Sequence, residues 1–124
     1  MEPNLSQYIQ NQIKQAQQVE TQMEQLANQK YQLDVRIKEL DKTIKELQSI
    51  GEETPVYKTV GNILYKIEDK KKLMDELSEQ KELSEIRIKT VEKQQKSLED
   101  KYRELEASIQ RKYEEETKRR GSTS

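Results

Sequence analysis

The sequence contains no cysteine, histidine or tryptophan, and these absences narrow the chemistry open to the chain. Without cysteine there is no disulfide and no thiolate nucleophile, which fits a reducing compartment. Without histidine there is no side chain that ordinarily titrates near neutral pH. The carboxylates alternate with lysines at helical spacing, where pairing on a solvated face explains them. No metal-ligand cluster, phosphate-binding loop or nucleophile arrangement is present, so we expect no enzyme, no metal site and no cofactor.

Hydrophobic residues are scarce as well. At 31% hydrophobic and 38% charged residues, with a mean hydropathy of -1.20, the 124 residues favour an elongated helical protein over a compact globule. The net charge of only -1 gives no field that attracts nucleic acid or an anionic membrane. No apolar run approaches the ~20 residues of a membrane helix, and no signal-peptide pattern is present. We expect a soluble, cytoplasmic protein with neither nucleic acid nor membrane as partner.

Two long segments carry apolar residues at spacings of three and four, the pattern of a coiled coil. The first segment runs from about residue 4 to 50, and the second, which is less regular, from 69 to 120. Gly51 is positioned to end the first helix, and Asp69 is positioned to cap the second. The polar residues 121–124 are expected to be disordered, and the whole chain 1–124 is expected to form one domain.

A linker of about 18 residues lets these helices fold back antiparallel. In the register where the numbers of facing residues sum to 121, every a position faces a d position. Polar residues then face apolar ones, as Lys81 faces Leu40 and Ser84 faces Ile37. The layers that are apolar on both sides are Leu47–Met74, Ile44–Leu77, Leu33–Ile88, Met23–Leu98, Val19–Tyr102 and Ala16–Leu105.

Beyond Ala16 this pairing degrades, because apolar residues of one helix face polar residues of the other or lie outside the seam. Each apolar side chain that a partner buries contributes about 1.5 to 3 kcal/mol, so a few could hold an unfolded segment weakly and reversibly. A frayed coiled-coil end with tolerated exposed hydrophobes is the alternative.

Ten of the fifteen glutamines lie within residues 1–32, so this end of the first helix is polar but nearly uncharged. Such a surface can hydrogen-bond irregular backbone without selecting for charge. An ordinary solvated helical face explains the same composition, and both interpretations stay open.

Between the helices, residues 56–67 predict a two-stranded β-hairpin. Gly61-Asn62 separates two β-rich runs and has glycine first, as a type II′ turn prefers. One face then carries Val56, Lys58, Val60, Ile63, Tyr65 and Ile67, and the other carries Tyr57, Thr59, Leu64 and Lys66. An isolated hairpin is marginal in water, so its apolar face and free edges need neighbours. Pairing with strands of other chains is favoured over folding back as a cap on the helix ends.

The order helix, single hairpin, helix, together with the segment PVYKTVGNIL at Pro55–Leu64, resembles the β-type subunits of the prefoldin family. The resemblance covers almost the whole chain, and one hairpin is β-type where α-type subunits have two. Tyr65 departs from the aliphatic or β-branched residue usual there. The resemblance implies a mainly α fold, an antiparallel two-helix coiled-coil hairpin joined by a single β-hairpin that assembles into an oligomeric β-barrel.

The resemblance also implies a function, that of an ATP-independent chaperone subunit in a hexamer of two α-type and four β-type chains. Its coiled-coil tips would capture non-native polypeptides and deliver them to a group II chaperonin. A structural coiled-coil adaptor that oligomerises through its hairpin is the alternative, and it predicts covered tips. The implied client-binding residues are Leu5, Tyr8, Ile9, Ile13, Leu105, Ile109 and Tyr113. The implied oligomerisation residues are Val56, Tyr57, Val60, Ile63, Leu64, Tyr65 and Ile67.

Overall fold

The structure is a computed structural model, which describes residues 3–122 as two long helices with two short strands between them. Contacts divide the chain into two compact units. The first unit combines the N-terminal residues up to Gln29 with the C-terminal residues from Val91, and the second is Lys30–Thr90. The elements in chain order are α1 (Pro3–Ser49), β1 (Tyr57–Val60), β2 (Ile63–Lys66) and α2 (Lys70–Ser122).

The C-terminal end of α2 differs from the prediction. Gly121 and Ser122 continue the helix, so the disorder expected for them is wrong, and residues 123–124 lie outside the described residues. The physical reason is that Gly121 has no positive φ. Its backbone therefore stays compatible with the helix and does not form the left-handed turn by which a glycine usually ends one.

The start of α2 has the capping residue that the sequence predicts. The backbone N–H of Lys72 donates to Asp69 Oδ1 at 3.0 Å, and the N–H of Leu73 donates to the Asp69 carbonyl at 3.2 Å. Two of the N–H groups at this helix end are thereby satisfied. The prediction that Asp69 caps the second helix is confirmed.

The end of α1 is organised differently from the prediction. The helix stops at Ser49, and Gly51 has no positive φ, so a left-handed glycine cap does not end it. Instead the Lys70 ammonium donates to three carbonyls of the following loop, to Gly51 O at 3.3 Å, to Glu52 O at 2.7 Å and to Thr54 O. The three donors of one lysine therefore fix the connection between α1 and β1.

In the first unit, three predicted layers form one hydrophobic cluster. Ala16, Val19 and Leu105 are its buried members, and Val19 is only 2% exposed. The partly buried residues Met23, Leu98 and Tyr102 pack against them. The residues of α1 and α2 meet here in opposite chain order, which supports the predicted antiparallel register in this unit.

Tyr102, which packs against this cluster, is held in place by a hydrogen bond to α1. The Tyr102 hydroxyl donates to Glu20 Oε1. This bond to the carboxylate, helped by burial and by the charge of Glu20, raises the pKa of Tyr102 to about 12. The phenol therefore stays protonated and keeps donating across the seam at any ordinary pH.

In the second unit, two of the predicted polar seam positions, Lys81 and Ser84, are paired or buried. Leu40 and Ser84 are buried, and the Lys81 ammonium lies 2.8 Å from Asp41 Oδ1. Arg36 Nη2 also donates to Gln80 Oε1 at 3.0 Å. Polar contacts between α1 and α2 therefore supplement a core that has few buried apolar residues in this unit.

The hairpin has the predicted turn and register. Gly61 has a φ of 59° while Asn62 has no positive φ, the combination of signs found in a type II′ turn. The ladder continues past the strands, because the Ile67 N–H donates to the Val56 carbonyl at 2.8 Å. The paired residues are Val60 with Ile63, Thr59 with Leu64, Lys58 with Tyr65 and Tyr57 with Lys66.

Candidate functional site

The hairpin presents its apolar side chains to solvent on both faces. All eight strand residues are exposed, and the five large hydrophobic ones among them have exposed fractions between 51 and 67%. Val56 and Ile67, which flank the strands, are half-buried. The hairpin therefore does not bury its apolar face as a cap, and the fold-back alternative is wrong. The five exposed residues are Tyr57, Val60, Ile63, Leu64 and Tyr65.

The hairpin also leaves backbone groups without partners. Within residues 3–122 the sheet has only two strands, so β1 and β2 each keep one edge unpaired. A two-stranded hairpin of four-residue strands is marginally stable by itself, and free edges accept further strands. This arrangement is suited to strand addition, in which a neighbouring chain pairs with an edge and covers apolar side chains.

The base of the hairpin is held in place by the start of α2, a feature that the sequence did not reveal. The Asp69 cap, the Lys70 bonds to the loop carbonyls and the bond from Ile67 to Val56 lie within a few residues of each other along the chain. In the sequence, Lys70, Lys71 and Lys72 form one basic run, and nothing there indicates that the three side chains have different contacts. Only Lys70 of these three reaches the loop carbonyls.

The predicted client-binding residues in the first unit are mostly accessible. Tyr8, Ile13 and Tyr113 are exposed, with Tyr113 at 66%, whereas Ile9 and Ile109 are half-buried. The side chain of Leu5, a further predicted member, lies outside the described residues. We call the five described residues Tyr8, Ile9, Ile13, Ile109 and Tyr113 the tip surface.

Leu105 does not belong to this surface. It is 8% exposed and packs in the core cluster with Ala16 and Val19. The prediction that Leu105 contacts a client is therefore corrected, because its side chain is already buried by α1. Leu105 instead supports the fold beneath the tip surface.

Contacts around Tyr8 tie the beginning of α1 to the end of α2. The Tyr8 hydroxyl lies 3.3 Å from Ser108 Oγ, and the Lys112 ammonium lies 5.6 Å from the centroid of the tyrosine ring. A cation over an aromatic ring contributes about 0.5 to 1 kcal/mol at an exposed site. The ends of the helices are thus joined, which argues against the frayed-end alternative.

Three acidic side chains in the described part of the chain form ion pairs with lysines, namely Asp41, Glu85 and Glu115. Asp41 Oδ2 lies 2.9 Å from the Lys45 ammonium, and Glu115 Oε2 lies 3.6 Å from that of Lys112. Among residues 3–122, no group of three or more carboxylates could hold a metal ion. Within residues 3–122, neither α1 nor α2 contains an apolar stretch of the length and hydropathy that a bilayer span requires.

Comparisons with known proteins agree with this architecture. The family model described as "Prefoldin subunit" matches residues 10–116. The prefoldin subunit beta of Thermoplasma volcanium is 56% identical over 119 residues, which cover 96% of each chain. That of Thermoplasma acidophilum is 56% identical over 124 residues, covering 100% of this chain and 99% of the relative.

A solved structure is similar as well. The crystal structure of the prefoldin beta subunit from Thermococcus strain KS-1 superimposes with a TM-score of 0.74 and 33% sequence identity. The match covers 83% of this chain and 90% of that one. The predicted resemblance to β-type subunits and the predicted fold of two helices joined by a single hairpin are both confirmed.

Proposed function

This chain belongs to the prefoldin family, and on that premise we propose that it captures non-native polypeptides at its tip surface and passes them to a group II chaperonin. Members of this family are chaperone subunits that assemble with other prefoldin subunits. Capture at the tip surface uses no nucleotide and no cofactor, because burial of apolar side chains drives it. The work takes place in the cytoplasm, where clients and chaperonin meet.

Assembly is assigned to the hairpin. Four copies of this β-type chain join two α-type subunits, and their strands close into β-barrels. The exposed side chains and unpaired edges of β1 and β2 support this role, since a barrel removes free edges. The residues buried by assembly are Val56, Tyr57, Val60, Ile63, Leu64, Tyr65 and Ile67.

Client binding is assigned to the tip surface, with Leu5 as a further member from the sequence. The single observation that carries this assignment is the exposure of Tyr8, Ile13 and Tyr113 in a unit that buries other apolar residues tightly. Side chains that are partly exposed can each gain burial from a client, and their small number keeps binding reversible. A structural adaptor would leave the aggregation of a denatured protein unchanged, which separates that alternative from this proposal.

The experiment is an aggregation assay with the chain assembled with an α-type subunit. The assembly should suppress aggregation of a chemically denatured protein without nucleotide. Replacing Tyr8, Ile13 and Tyr113 by serine should remove most of this suppression while the mass of the assembly stays unchanged.

The matched control replaces three other exposed hydrophobic residues by serine, namely Tyr31, Leu83 and Ile86, which lie in the second unit. This control variant should suppress aggregation to the same extent as the wild type does. Equal losses in both triple variants, or full activity in the tip variant, would contradict the assignment.

A further inference from the structure

A groove in the first unit lies between α1 and α2, and most of its lining residues are glutamines. Gln22, Gln25 and Gln29 line it from α1, and Gln94 and Ser97 line it from α2. The half-buried side chains of Leu26 and Leu98 complete the lining. The groove has a volume of about 360 Å³, within the range of ligand-binding clefts.

The lining carries no charge although 38% of the residues in the chain are charged. Each glutamine amide offers two donor hydrogens and a carbonyl acceptor, and the serine offers one more of each. A charged ligand would lose its hydration without meeting an opposite charge here. The groove therefore fits a neutral ligand that both donates and accepts hydrogen bonds and has an apolar part for the two leucines.

We propose that this groove is a second client-binding site, which takes an uncharged, extended segment of a non-native polypeptide. The peptide N–H and C=O groups pair with the amides of Gln25 and Gln94, and an apolar side chain of the segment packs on Leu26 and Leu98. This inference rests on the proposed function, because it presumes that non-native polypeptides are the ligand.

The groove and the tip surface lie in the same unit and share α1. Tyr8 and Gln22 are fourteen residues apart, which is two heptads, so both lie on the same side of α1, about 21 Å apart along the helix. An extended polypeptide covers that distance with roughly six residues. One client segment can therefore reach from the tip surface into the groove, so the two sites act on the same chain and increase its effective concentration at each.

The test introduces a charge into the groove without changing its size. In the assembled complex, Gln25→Glu should weaken binding of an uncharged, leucine-containing unstructured peptide by roughly fivefold, which corresponds to about 1 kcal/mol. Asn28→Glu is the matched control, because Asn28 is an exposed residue of the same helix that does not line the groove. Glutamine and glutamate have similar helix propensities, so α1 should keep its helicity.

A photo-crosslinking amino acid at position 25 should label the peptide, and the same group at position 28 should not. Equal affinity in the Gln25→Glu and Asn28→Glu variants, or equal labelling from both positions, would overturn the proposal. The tip triple variant, measured in parallel with the same peptide, separates the two hypotheses. If only the tip variant loses binding, the groove proposal fails and the proposed function stands; if the tip variant binds as the wild type does, the tip assignment fails.

Discussion

Lys81 of α2 donates a hydrogen bond to Asp41 of α1, with 2.8 Å between Nζ and Oδ1, and Lys45 pairs with the other oxygen of the same carboxylate at 2.9 Å. Lys81 occupies a seam position where an apolar residue would otherwise stand. A polar residue in a coiled-coil seam favours the register in which it finds its partner. The pair thus helps to specify how the helices align in the second unit.

Acid should weaken this pairing. The hydrogen bond from Lys81, followed by that from Lys45, lowers the pKa of Asp41 from its ordinary 3.8 to about 2. A carboxyl whose pKa is lower in the folded state stabilises the fold above the ordinary value, and this stabilisation is lost as pH falls from about 4 to about 2. Thermal unfolding followed over this interval should show a falling melting temperature.

The matched variant for the acid prediction is Asp41→Asn, which keeps the shape of the side chain and removes its titration. Its melting temperature should be lower than that of the wild type near neutral pH, and the difference should shrink toward pH 2. Parallel curves for the two proteins across this interval would show that Asp41 does not contribute the pH-dependent stability.

Removing the Lys70 ammonium should loosen the connection before β1. Lys70→Met keeps the length of the stem but deletes the donors that hold three loop carbonyls. Loss of a net hydrogen bond costs about 1 kcal/mol, so we expect roughly fivefold faster exchange of the Thr54 amide, which donates to Gly51 O at 3.1 Å. Lys71→Met changes the charge equally and should leave this exchange rate unchanged.

Shortening Leu105 should cost stability, because it is buried in the core cluster. Leu105→Ala should lower the free energy of unfolding by about 2 to 5 kcal/mol, as other buried leucines do. Leu83→Ala, at an exposed position, should change it by no more than about 0.5 kcal/mol. Urea unfolding of the full chain, followed by its helical circular dichroism, distinguishes the two. Near-equal effects would contradict the placement of Leu105.

The two glycines between α1 and α2, Gly51 and Gly61, should respond differently to replacement by alanine. Gly61 has a φ of 59°, a left-handed conformation that costs an alanine about 1 to 2 kcal/mol, even though open space surrounds its position. Gly51 has no positive φ, and an added Cβ would meet only Thr54 Oγ1 at 3.9 Å. Gly51→Ala should therefore be neutral or slightly stabilising.

Amide exchange of the strand residues measures both glycine effects in the assembled complex. Faster exchange is expected for Gly61→Ala and unchanged exchange for Gly51→Ala. Gly61→Asn should fall between Gly61→Ala and the wild type, because asparagine tolerates the left-handed region better than alanine does. A stable hairpin with Gly61→Ala would argue against the type II′ turn.

The features that the sequence predicted correctly depend on local rules. A two-residue turn at Gly61-Asn62 fixes which strand residues pair, and the alternation of side chains then assigns each one to a face. Asp69 stands directly before a helical pattern, where its carboxylate reaches the free N–H groups. The heptad spacing likewise identified the residues that gather around Val19.

The features that were missed depend on the path of the chain through space. No local pattern says that Lys70 rather than its two neighbours meets the loop carbonyls, since that depends on the course of residues 50–56. The glutamine-rich composition was visible, but membership of one groove requires the alignment of α1 with α2. Leu105 was assigned to a binding surface through the family resemblance, although the predicted register had already placed it opposite Ala16 in an apolar layer, where the structure buries it.

The four-residue strands have a thermodynamic consequence. In the proposed assembly their exposed side chains gain burial from other subunits, so the free energy that orders residues 57–66 would depend on how many subunits are present. Dilution should therefore unfold the hairpin while α1 and α2 remain helical. By the same proposal, a chain without companion subunits keeps the free strand edges and exposed apolar side chains that promote aggregation.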